Sequence, residues 1–432
     1  MRNPASGHGT GAGTPTPPRR IRRGTTAVAA LLAFAAATSC ASTSGPLVPG
    51  SPSRQPSLGS AASVTASVAA DPSPTRTGTP HLPEPTGSQP VGTTSLHLKD
   101  TSRADPWVPA AKARELMISL WYPTKSRSGK RAPYMTAKES ELILKGEDIP
   151  GVPYDALSTT RTNAFSDTRP AGREHSLPLV VLSPGFTEPR ASLTALAEEL
   201  ASRGYVVAGI DHTYESLATT FPDGRVTTCV ACEARKDQMF WNKVGQSRAA
   251  DVTFVLDELT GAHPVWKGAS LIAPSRIAMA GHSAGGASAI AAMLNDTRVR
   301  AGLNMDGTTF SPIPDSGLSR PFLFLGTQAM HSPAGKDTTW DRDWARLTGW
   351  KRWLVVTGAE HASFTDTALL VEQLGIHRNP GLSAERAVEI TRSTVRAFLD
   401  LHLRHKPQPL LDKPSTRYPE VKRCDVKQQS CA

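Results

Sequence analysis

The chain has 432 residues, of which 39% are hydrophobic, and a formal net charge of +10. This length accommodates one catalytic domain together with additional segments. The first 50 residues contain five arginines and no acidic residue, so the positive charge is concentrated at the N-terminus. Because RNP-type, zinc-finger and basic-helix motifs are missing from the sequence, we do not expect a nucleic-acid partner.

The first 41 residues have the pattern of an export signal. A basic cluster at residues 19–23 precedes an apolar run at residues 27–37, and small residues follow. The run is shorter than the roughly 20 residues that a permanent membrane span needs. Cleavage after Ala41 would release a secreted protein, whereas cleavage before Cys40 would leave a lipid-anchored N-terminus. We favour release, because Ala37 stands where the lipoprotein signal usually has leucine.

Residues 42–92 consist mainly of Pro, Ser, Thr, Gly and Ala and contain no aromatic residue. Such a segment cannot bury enough apolar surface to offset the entropy lost on ordering. The composition predicts a disordered linker, which would separate the export signal from a folded domain at residues 93–432.

Apolar runs and helical patterns alternate through the predicted domain. This alternation predicts the α/β class, with a mostly parallel central sheet covered by helices on both faces. The predicted strands are residues 116–122, 177–182, 205–210, 276–280, 299–305, 321–325 and 353–356. The predicted helices are residues 191–203, 247–259 and 383–403, with a further helix that starts at residue 284.

Residues 281–285 read Gly-His-Ser-Ala-Gly, which is the G-x-S-x-G pattern, between a predicted buried strand and a predicted helix. In the α/β-hydrolase fold, a tight turn at this place raises the nucleophilic serine above the sheet. The N-terminus of the following helix then points toward the oxyanion that forms during acyl transfer. The sequence therefore predicts an α/β-hydrolase with Ser283 as its nucleophile.

A serine nucleophile needs an adjacent base, and the chain order in this fold is serine, acid, histidine. His361 follows the last predicted strand and is the predicted base, with His331 as the alternative. Most proteins of this fold have the acid after the strand that is residues 321–325 here, but no acid occurs there before Asp337. Asp306 follows the preceding strand, and we predict that it orients His361. A simple Asp-Gly turn is the alternative.

Two backbone N–H groups are expected to bind the oxyanion. One belongs to Ala284, directly after the nucleophile. The other comes from the loop after the strand at residues 177–182, where we assign it to Phe186. The Phe186 ring would also line the acyl pocket.

The four cysteines outside the export signal form two local pairs in the sequence. In an oxidising compartment, the economical pairing is Cys229 with Cys232 and Cys424 with Cys431. A zinc site is the alternative, although the second pair lacks the usual spacing. The first pair lies in residues 221–245, which could cap the acyl pocket as a lid or form a surface excursion. No motif calls for a metal or an organic cofactor.

The predicted domain resembles the platelet-activating factor acetylhydrolase family of the plasma and intracellular type II group. The resemblance covers residues 93–405 and rests on LWYP at 120–123, LPLVVLSPGF at 177–186, GHSAGG at 281–286, Asp306 after its strand, and GAEHASFTD at 358–366. It implies a triad of Ser283, Asp306 and His361. It also implies calcium-independent hydrolysis of short or oxidised acyl esters, including those at the sn-2 position of phospholipids. We expect transient contact with a membrane or polymer surface.

Two alternatives remain open from the sequence. The LSPGFT stretch also resembles secreted actinobacterial lipases and cutinases, which act on triglycerides or polyester surfaces. Those enzymes have their acid one strand later and usually have methionine where this chain has Ala284. A hydrolase fold can also serve as a non-catalytic binding module, since fold alone does not fix function.

Overall fold

The computed structural model describes residues 78–149 and 151–432. The predicted export signal and residues 42–77 of the predicted linker lie outside the described residues. Within those residues, no helix is both long enough and apolar enough to cross a bilayer.

The strands are numbered in chain order. They are β1 (Val91–Asp100), β2 (Arg114–Pro123), β3 (Arg131–Pro133), β4 (Arg161–Ser166), β5 (Leu177–Ser183), β6 (Val206–Asp211), β7 (Thr219–Thr220), β8 (Val226–Thr227), β9 (Ile272–His282), β10 (Val299–Met305), β11 (Phe322–Thr327), β12 (Lys351–Val356), β13 (Val421–Asp425) and β14 (Ser430–Cys431).

The helices are numbered in the same way. They are α1 (Ala137–Gly146), α2 (Thr194–Ser202), α3 (Gln238–Thr260), α4 (Ala284–Asn295), α5 (Gln328–His331), α6 (Thr339–Trp344), α7 (Asp366–Gln373) and α8 (Ala384–Arg404). Short 3₁₀ helices occupy Arg190–Leu193, Val230–Glu233, Ala269–Leu271, His361–Phe364 and Pro409–Leu411.

In the described part of the chain, twelve strands form one sheet in the order β14-β13-β12-β11-β10-β9-β5-β6-β2-β1-β4-β3. The six strands from β12 to β6 in this order are parallel to one another. Parallel strands place their carboxyl ends at one edge of the sheet, and ligand sites in open α/β sheets form outside this edge. The predicted mostly parallel sheet is confirmed.

Helices cover both faces of the sheet, as predicted. Side chains of α3 and α4 pack on one face, and side chains of α2 and α8 pack on the other. Because both faces are covered, every residue of β5 is buried, and its sequence is nearly continuously apolar rather than alternating. The sheet therefore has a rigid interior from which the loops at the carboxyl edge project.

The folded part extends further toward the N-terminus than the linker prediction indicated. Leu82 is buried, and its N–H donates to the Arg161 carbonyl oxygen over 2.9 Å. Thr86 donates its N–H to the Glu199 carboxylate over 2.7 Å, and the Arg392 guanidinium donates to the carbonyl oxygen of Pro83 over 2.9 Å. Composition predicts disorder for residues 82–86, but hydrogen bonds to β4, α2 and α8 hold these residues against the domain.

Beneath the carboxyl edge, the Arg114 guanidinium is fully buried. It donates two hydrogen bonds to the Asp251 carboxylate, over 2.8 and 3.1 Å, and one to Asp105 over 2.8 Å. Burial alone would raise the pKa of Asp251, but the charge of Arg114 and hydrogen bonds from His212 and Arg114 hold that pKa well below its ordinary value. Both groups are therefore charged inside the protein, and each depends on the other for compensation.

We expect Asp251→Ala to lower the free energy of unfolding by about 3 kcal/mol, because the buried Arg114 guanidinium loses two of its three carboxylate hydrogen bonds and keeps only the one to Asp105. Urea denaturation of the purified protein measures this change. As a control, Glu141→Ala removes an ion pair with Lys138 and Lys145 on the exposed surface of α1 and should leave the unfolding midpoint unchanged. Equal midpoints for Asp251→Ala and the wild type would contradict the assignment.

Candidate active site

Ser283 lies at the turn between β9 and α4, as predicted, in a strained backbone conformation. Its φ of 53° and ψ of −123° are unusual for a residue with a side chain. The turn is held by the Ser283 N–H, which donates to the Met305 carbonyl oxygen over 2.8 Å. Ser283 is partly exposed, although its neighbours on both sides are buried. The turn thus presents this hydroxyl at the carboxyl edge of the sheet.

Two glycines allow the backbone to approach this turn closely. A Cβ atom at Gly285 would lie 2.0 Å from the Ser183 carbonyl oxygen, and a Cβ atom at Gly307 would lie 2.1 Å from the Ser283 carbonyl oxygen. Any larger residue at either position would push β5 or the Asp306 turn away from the serine. The glycines therefore set the spacing between the three segments that form the site.

Asp306 follows β10 directly and is 2% exposed. Its φ is 55°, and its N–H donates to the Leu325 carbonyl oxygen over 2.9 Å. Its carboxylate accepts three hydrogen bonds. Oδ2 accepts one from His361 Nδ1 over 2.7 Å, and Oδ1 accepts one from His331 Nδ1 over 2.7 Å and one from the Thr327 N–H over 2.6 Å.

The environment keeps the Asp306 carboxylate ionised. Burial alone would raise its pKa, but the charge and hydrogen bond of His331, together with those of His361, hold the pKa well below its ordinary value. An ionised carboxylate at this position fixes the proton of His361 on Nδ1 and leaves Nε2 free to act as a base.

His361 begins the 3₁₀ helix after β12, and its side chain is 55% exposed. Its ring lies 4.5 Å from the ring of His282, the residue before the nucleophile, and the His361 carbonyl oxygen is 2.9 Å from His282 Nε2. Within the described part of the chain, Ser283 Oγ makes no hydrogen bond to the His361 ring. Such contacts often tighten only when substrate binds.

His282, the residue before the nucleophile, is buried. Burial, assisted by the nearby His361, lowers the pKa of His282 to about 3, so the ring is neutral at physiological pH. A neutral ring can donate from Nε2 to the His361 carbonyl oxygen. His282 therefore supports the loop that holds His361.

His331, the alternative base in the sequence, binds the same carboxylate as His361 from the other side. It ends α5, is 2% exposed, and stacks on Trp340 with ring centroids 4.0 Å apart. Its Nε2 lies 3.1 Å from Asp337 Oδ2. A buried ring with both nitrogens engaged by carboxylates cannot serve Ser283 as a base. From the sequence, His331 and His361 were alternative candidates for the base. In the structure, both rings are hydrogen-bonded to the Asp306 carboxylate.

The loop after β5 brings Phe186 to the site. The Arg248 guanidinium, 1% exposed, donates to the Pro184 carbonyl oxygen over 2.6 Å and to the Gly185 carbonyl oxygen over 3.4 Å. The carbonyl of Gly185 and the N–H of Phe186 belong to one peptide unit and point in opposite directions. Arg248 thereby turns the Phe186 N–H away from the protein interior. In the described residues, the N–H groups of Phe186 and Ala284 have no acceptor.

Arg248 belongs to a hydrogen-bonded network that continues to Arg114. It donates to Glu215 over 2.8 Å and to Ser183 Oγ over 3.2 Å. The ring of His212 lies 2.8 Å from both Ser183 Oγ and the Asp251 carboxylate. Sequence reasoning missed Arg248. The sequence feature that could have identified it is a lone arginine among the apolar residues on the buried face of α3.

Five aromatic rings form a cluster beside the nucleophile turn. The members are Trp107, Phe186, Phe240, Trp241 and Phe310. Trp241 and Phe310 are stacked, with centroids 4.8 Å apart and an interplanar angle of 7°. A cavity lies between this pair and the start of α4, and Ala284 and Ser288 line its other side. Phe186, which was predicted to line the acyl pocket, is not among the residues that line this cavity, and its ring packs instead against Trp241, with centroids 5.5 Å apart.

Residues 221–245 contain the β7–β8 turn, β8, a 3₁₀ helix and the first turns of α3. From the sequence, this stretch was either a lid or a surface excursion. The helix begins at Gln238 rather than near Ser247, because the Asp237 side chain caps it by accepting from the Phe240 N–H over 3.0 Å. This earlier start places Phe240 and Trp241 on a rigid helix. The aromatic wall of the cavity is therefore part of the scaffold.

The structure pairs Cys229 with Cys232 and Cys424 with Cys431. The second bridge joins β13 to β14 at the edge of the sheet. Among the described residues, no group of three or more His, Cys, Asp or Glu side chains is placed to hold a metal ion. Because zinc binds cysteine as the thiolate, the two disulfides disfavour the alternative of a zinc site at these four cysteines.

Comparison with known proteins adds the family. The model of the family "Platelet-activating factor acetylhydrolase, isoform II" matches residues 76–255 and 266–408. A probable 1-alkyl-2-acetylglycerophosphocholine esterase of Arthroderma benhamiae is 27% identical over 376 residues, which are 79% of this chain and 92% of that protein. The platelet-activating factor acetylhydrolase of Bos taurus is 24% identical over 371 residues, which are 76% of this chain and 78% of that protein.

Among solved structures, a ferulic acid esterase from Streptomyces cinnamoneus has 42% sequence identity and a TM-score of 0.72, and the match covers 81% of this chain and 100% of that one. The resemblance and the α/β-hydrolase fold expected from the sequence are confirmed. The chain belongs to the platelet-activating factor acetylhydrolase isoform II family and is a carboxylic ester hydrolase.

Proposed function

We propose that the protein hydrolyses carboxylic esters through an acyl-enzyme on Ser283, with His361 as general base and Asp306 as the acid that orients it. The observation that carries this proposal is the 2.7 Å hydrogen bond from His361 Nδ1 to Asp306 beside a serine held at positive φ. A histidine oriented in this way activates a serine hydroxyl when its Nε2 accepts from that hydroxyl.

In the acylation half of the reaction, Ser283 Oγ attacks the ester carbonyl carbon while its proton passes to His361 Nε2. The N–H groups of Phe186 and Ala284 donate to the oxyanion of the tetrahedral intermediate. The carbon–oxygen bond to the alcohol then breaks, and the His361 imidazolium returns the proton to the leaving alkoxide. In the second half, water repeats these steps on the acyl-enzyme and releases the carboxylic acid.

The acyl group is proposed to lie in the cavity between Ala284 and the stacked pair of Trp241 and Phe310. Two substrate classes fit this proposal. The family and its named members favour short acyl groups, including an acetyl group at the sn-2 position of a phospholipid. The flat aromatic wall and the ferulic acid esterase relative favour an aromatic acyl group.

We also propose that the protein is secreted. The basic and apolar pattern of its first 41 residues and its two disulfides support export to an oxidising compartment. The choice between release after Ala41 and lipid attachment at Cys40 stays a prediction in favour of release.

The first prediction for this function concerns the triad. Ser283→Ala and Asp306→Asn should each lower kcat for p-nitrophenyl acetate by about 10³-fold or more, because the first removes the nucleophile and the second permits the wrong tautomer of His361. Steady-state kinetics of the folded variants measures this. Asp343→Asn, at a buried carboxylate that binds Thr309 and Ile313, is the matched control and should keep wild-type kcat. Normal turnover by Asp306→Asn would mean that the acid lies elsewhere.

A second prediction concerns the oxyanion loop. Arg248→Met removes the donors that fix the carbonyl groups of Pro184 and Gly185, so the Phe186 N–H loses its orientation. We expect kcat to fall by about 10- to 100-fold, less than for complete loss of a donor, with KM changed much less. Arg298→Met, at a surface arginine paired with Asp296, is the control. A change confined to KM would indicate that the loop shapes substrate binding rather than transition-state stabilisation.

A third prediction separates the two substrate classes. If an aromatic acyl group lies against the Trp241 ring, Trp241→Ala should reduce kcat/KM for methyl ferulate by about fivefold more than for p-nitrophenyl acetate, since aromatic stacking contributes about 1 kcal/mol beyond burial. The comparison includes 1-alkyl-2-acetylglycerophosphocholine as the phospholipid substrate. Equal losses on the two simple esters, with efficient turnover of the phospholipid, would favour the short-acyl class.

A further inference from the structure

His331 is buried between two carboxylates on successive segments of the carboxyl edge. Its Nδ1 lies 2.7 Å from Asp306 Oδ1, and its Nε2 lies 3.1 Å from Asp337 Oδ2. The ring is stacked on Trp340, and the His331 carbonyl oxygen accepts from Trp353 Nε1 over 2.6 Å. Ring and backbone are therefore both fixed, and neither nitrogen faces solvent.

The hydrogen-bond geometry determines the protonation of this ring. An ionised carboxylate can only accept, so a ring nitrogen that faces one must donate. Both nitrogens of His331 face carboxylate oxygens, and both must therefore carry a proton. Burial alone would lower the pKa of His331, but Asp306 and then Asp337 raise it to about 9. Asp337 in turn has its pKa lowered to about 2 against the effect of burial, chiefly by the hydrogen bond from His331.

We propose that His331 is a positioning residue of the triad, an imidazolium that holds Asp306 Oδ1 so that Oδ2 remains aligned with His361, while Asp337 anchors the imidazolium from behind. This role rests on the proposed function, in which Asp306 is the acid. His331 keeps both of its protons throughout the reaction and exchanges none with Ser283 or with substrate.

The proposal has a consequence for pH dependence. A positive charge on the far side of Asp306 opposes the addition of a second positive charge on His361, and removal of the first relieves this repulsion. The groups that face His331 are Asp306 and Asp337.

The groups that face His361 include the same Asp306 and the neutral ring of His282. Glu188, whose pKa burial raises to about 7, also acts on His361 by its charge. The preceding residue, Glu360, has His377 2.8 Å away as a separate partner. A neutral residue in place of His331 changes one charge in this set and leaves the others in place.

The test compares the pH profile of kcat/KM for p-nitrophenyl acetate in the wild type and in His331→Gln. Glutamine has no charge, and its amide nitrogen takes the place of Nε2, so the hydrogen bond from Nδ1 to Asp306 is lost together with the charge. We expect the acid limb of the profile to move to higher pH by about half a unit to one unit. We expect kcat on the plateau of the profile to fall by about tenfold, a loss typical for removal of a residue that orients a functional side chain by a hydrogen bond. We expect KM to be nearly unchanged.

His402→Gln is the matched control. This histidine is also partly enclosed, packs on Trp350 and Phe398, and makes no contact with Asp306. Its substitution should leave the acid limb and kcat unchanged, whatever it does to stability. A purely structural role of His331 would lower the amount of folded enzyme without moving the limb. Coincident limbs and kcat values within twofold for His331→Gln and the wild type would overturn the proposal.

A second measurement detects the protonation of the His331 ring directly in the wild type. Nitrogen-15 NMR of the histidine-labelled wild type should show one ring with both nitrogens protonated at pH 7 to 8, which loses a proton only near pH 9. Asp337→Asn should move that loss to lower pH, because the anchoring charge is gone. If each buried ring has an unprotonated nitrogen at pH 7, the proposal is wrong.

Different results would overturn the proposed triad and the positioning role of His331. An inactive wild type, or an Asp306→Asn variant as active as the wild type, would overturn the proposed triad and the role of His331 with it. An inactive Asp306→Asn variant together with an unchanged His331→Gln profile would overturn only the positioning role.

Discussion

The site depends on one buried carboxylate whose two oxygens are shared among three donors. Asp306 must stay ionised inside the protein, and it must present one particular oxygen to His361. A carboxylate with a single partner could rotate or take up a proton on burial. The Thr327 N–H and His331 occupy Oδ1, and Oδ2 is left for His361. The hydrogen bond on which proposed catalysis depends is therefore fixed by two others that do not touch substrate.

The fold supplies these partners because the parallel strands end at one edge. β9, β10, β11 and β12 are neighbours in the sheet, and their carboxyl ends lead to Ser283, Asp306, His331 and His361. The loop after β5 adds Phe186 from the other side. A separate buried network runs from Arg114 through Asp251, His212 and Ser183 to Arg248 and fixes this loop. Both halves of the proposed site, the base and the oxyanion donors, thus rest on buried ionic groups.

Much of this arrangement is predictable from sequence, and the exceptions have a common cause. G-x-S-x-G between a strand and a helix identifies Ser283, and the end of a strand identifies His361. Asp306 is identified as the acid because no acidic residue follows the next strand, β11, before Asp337. Sequence order does not indicate which oxygen of Asp306 a histidine approaches, so His331 was an alternative to His361 rather than its supporting partner. Arg248 was missed for the same reason, because its partners are carbonyl oxygens distant in the chain.

The position of the acid explains why His331 is available for its proposed role. Most hydrolases of this fold use the strand end that β11 provides here for the acid. In this chain the proposed acid lies one strand earlier, directly after β10, and the segment after β11 supplies instead the Thr327 N–H, His331 and Asp337. With the proposed acid after β10, the segment after β11 is free to supply a compensating charge beside the Asp306 carboxylate.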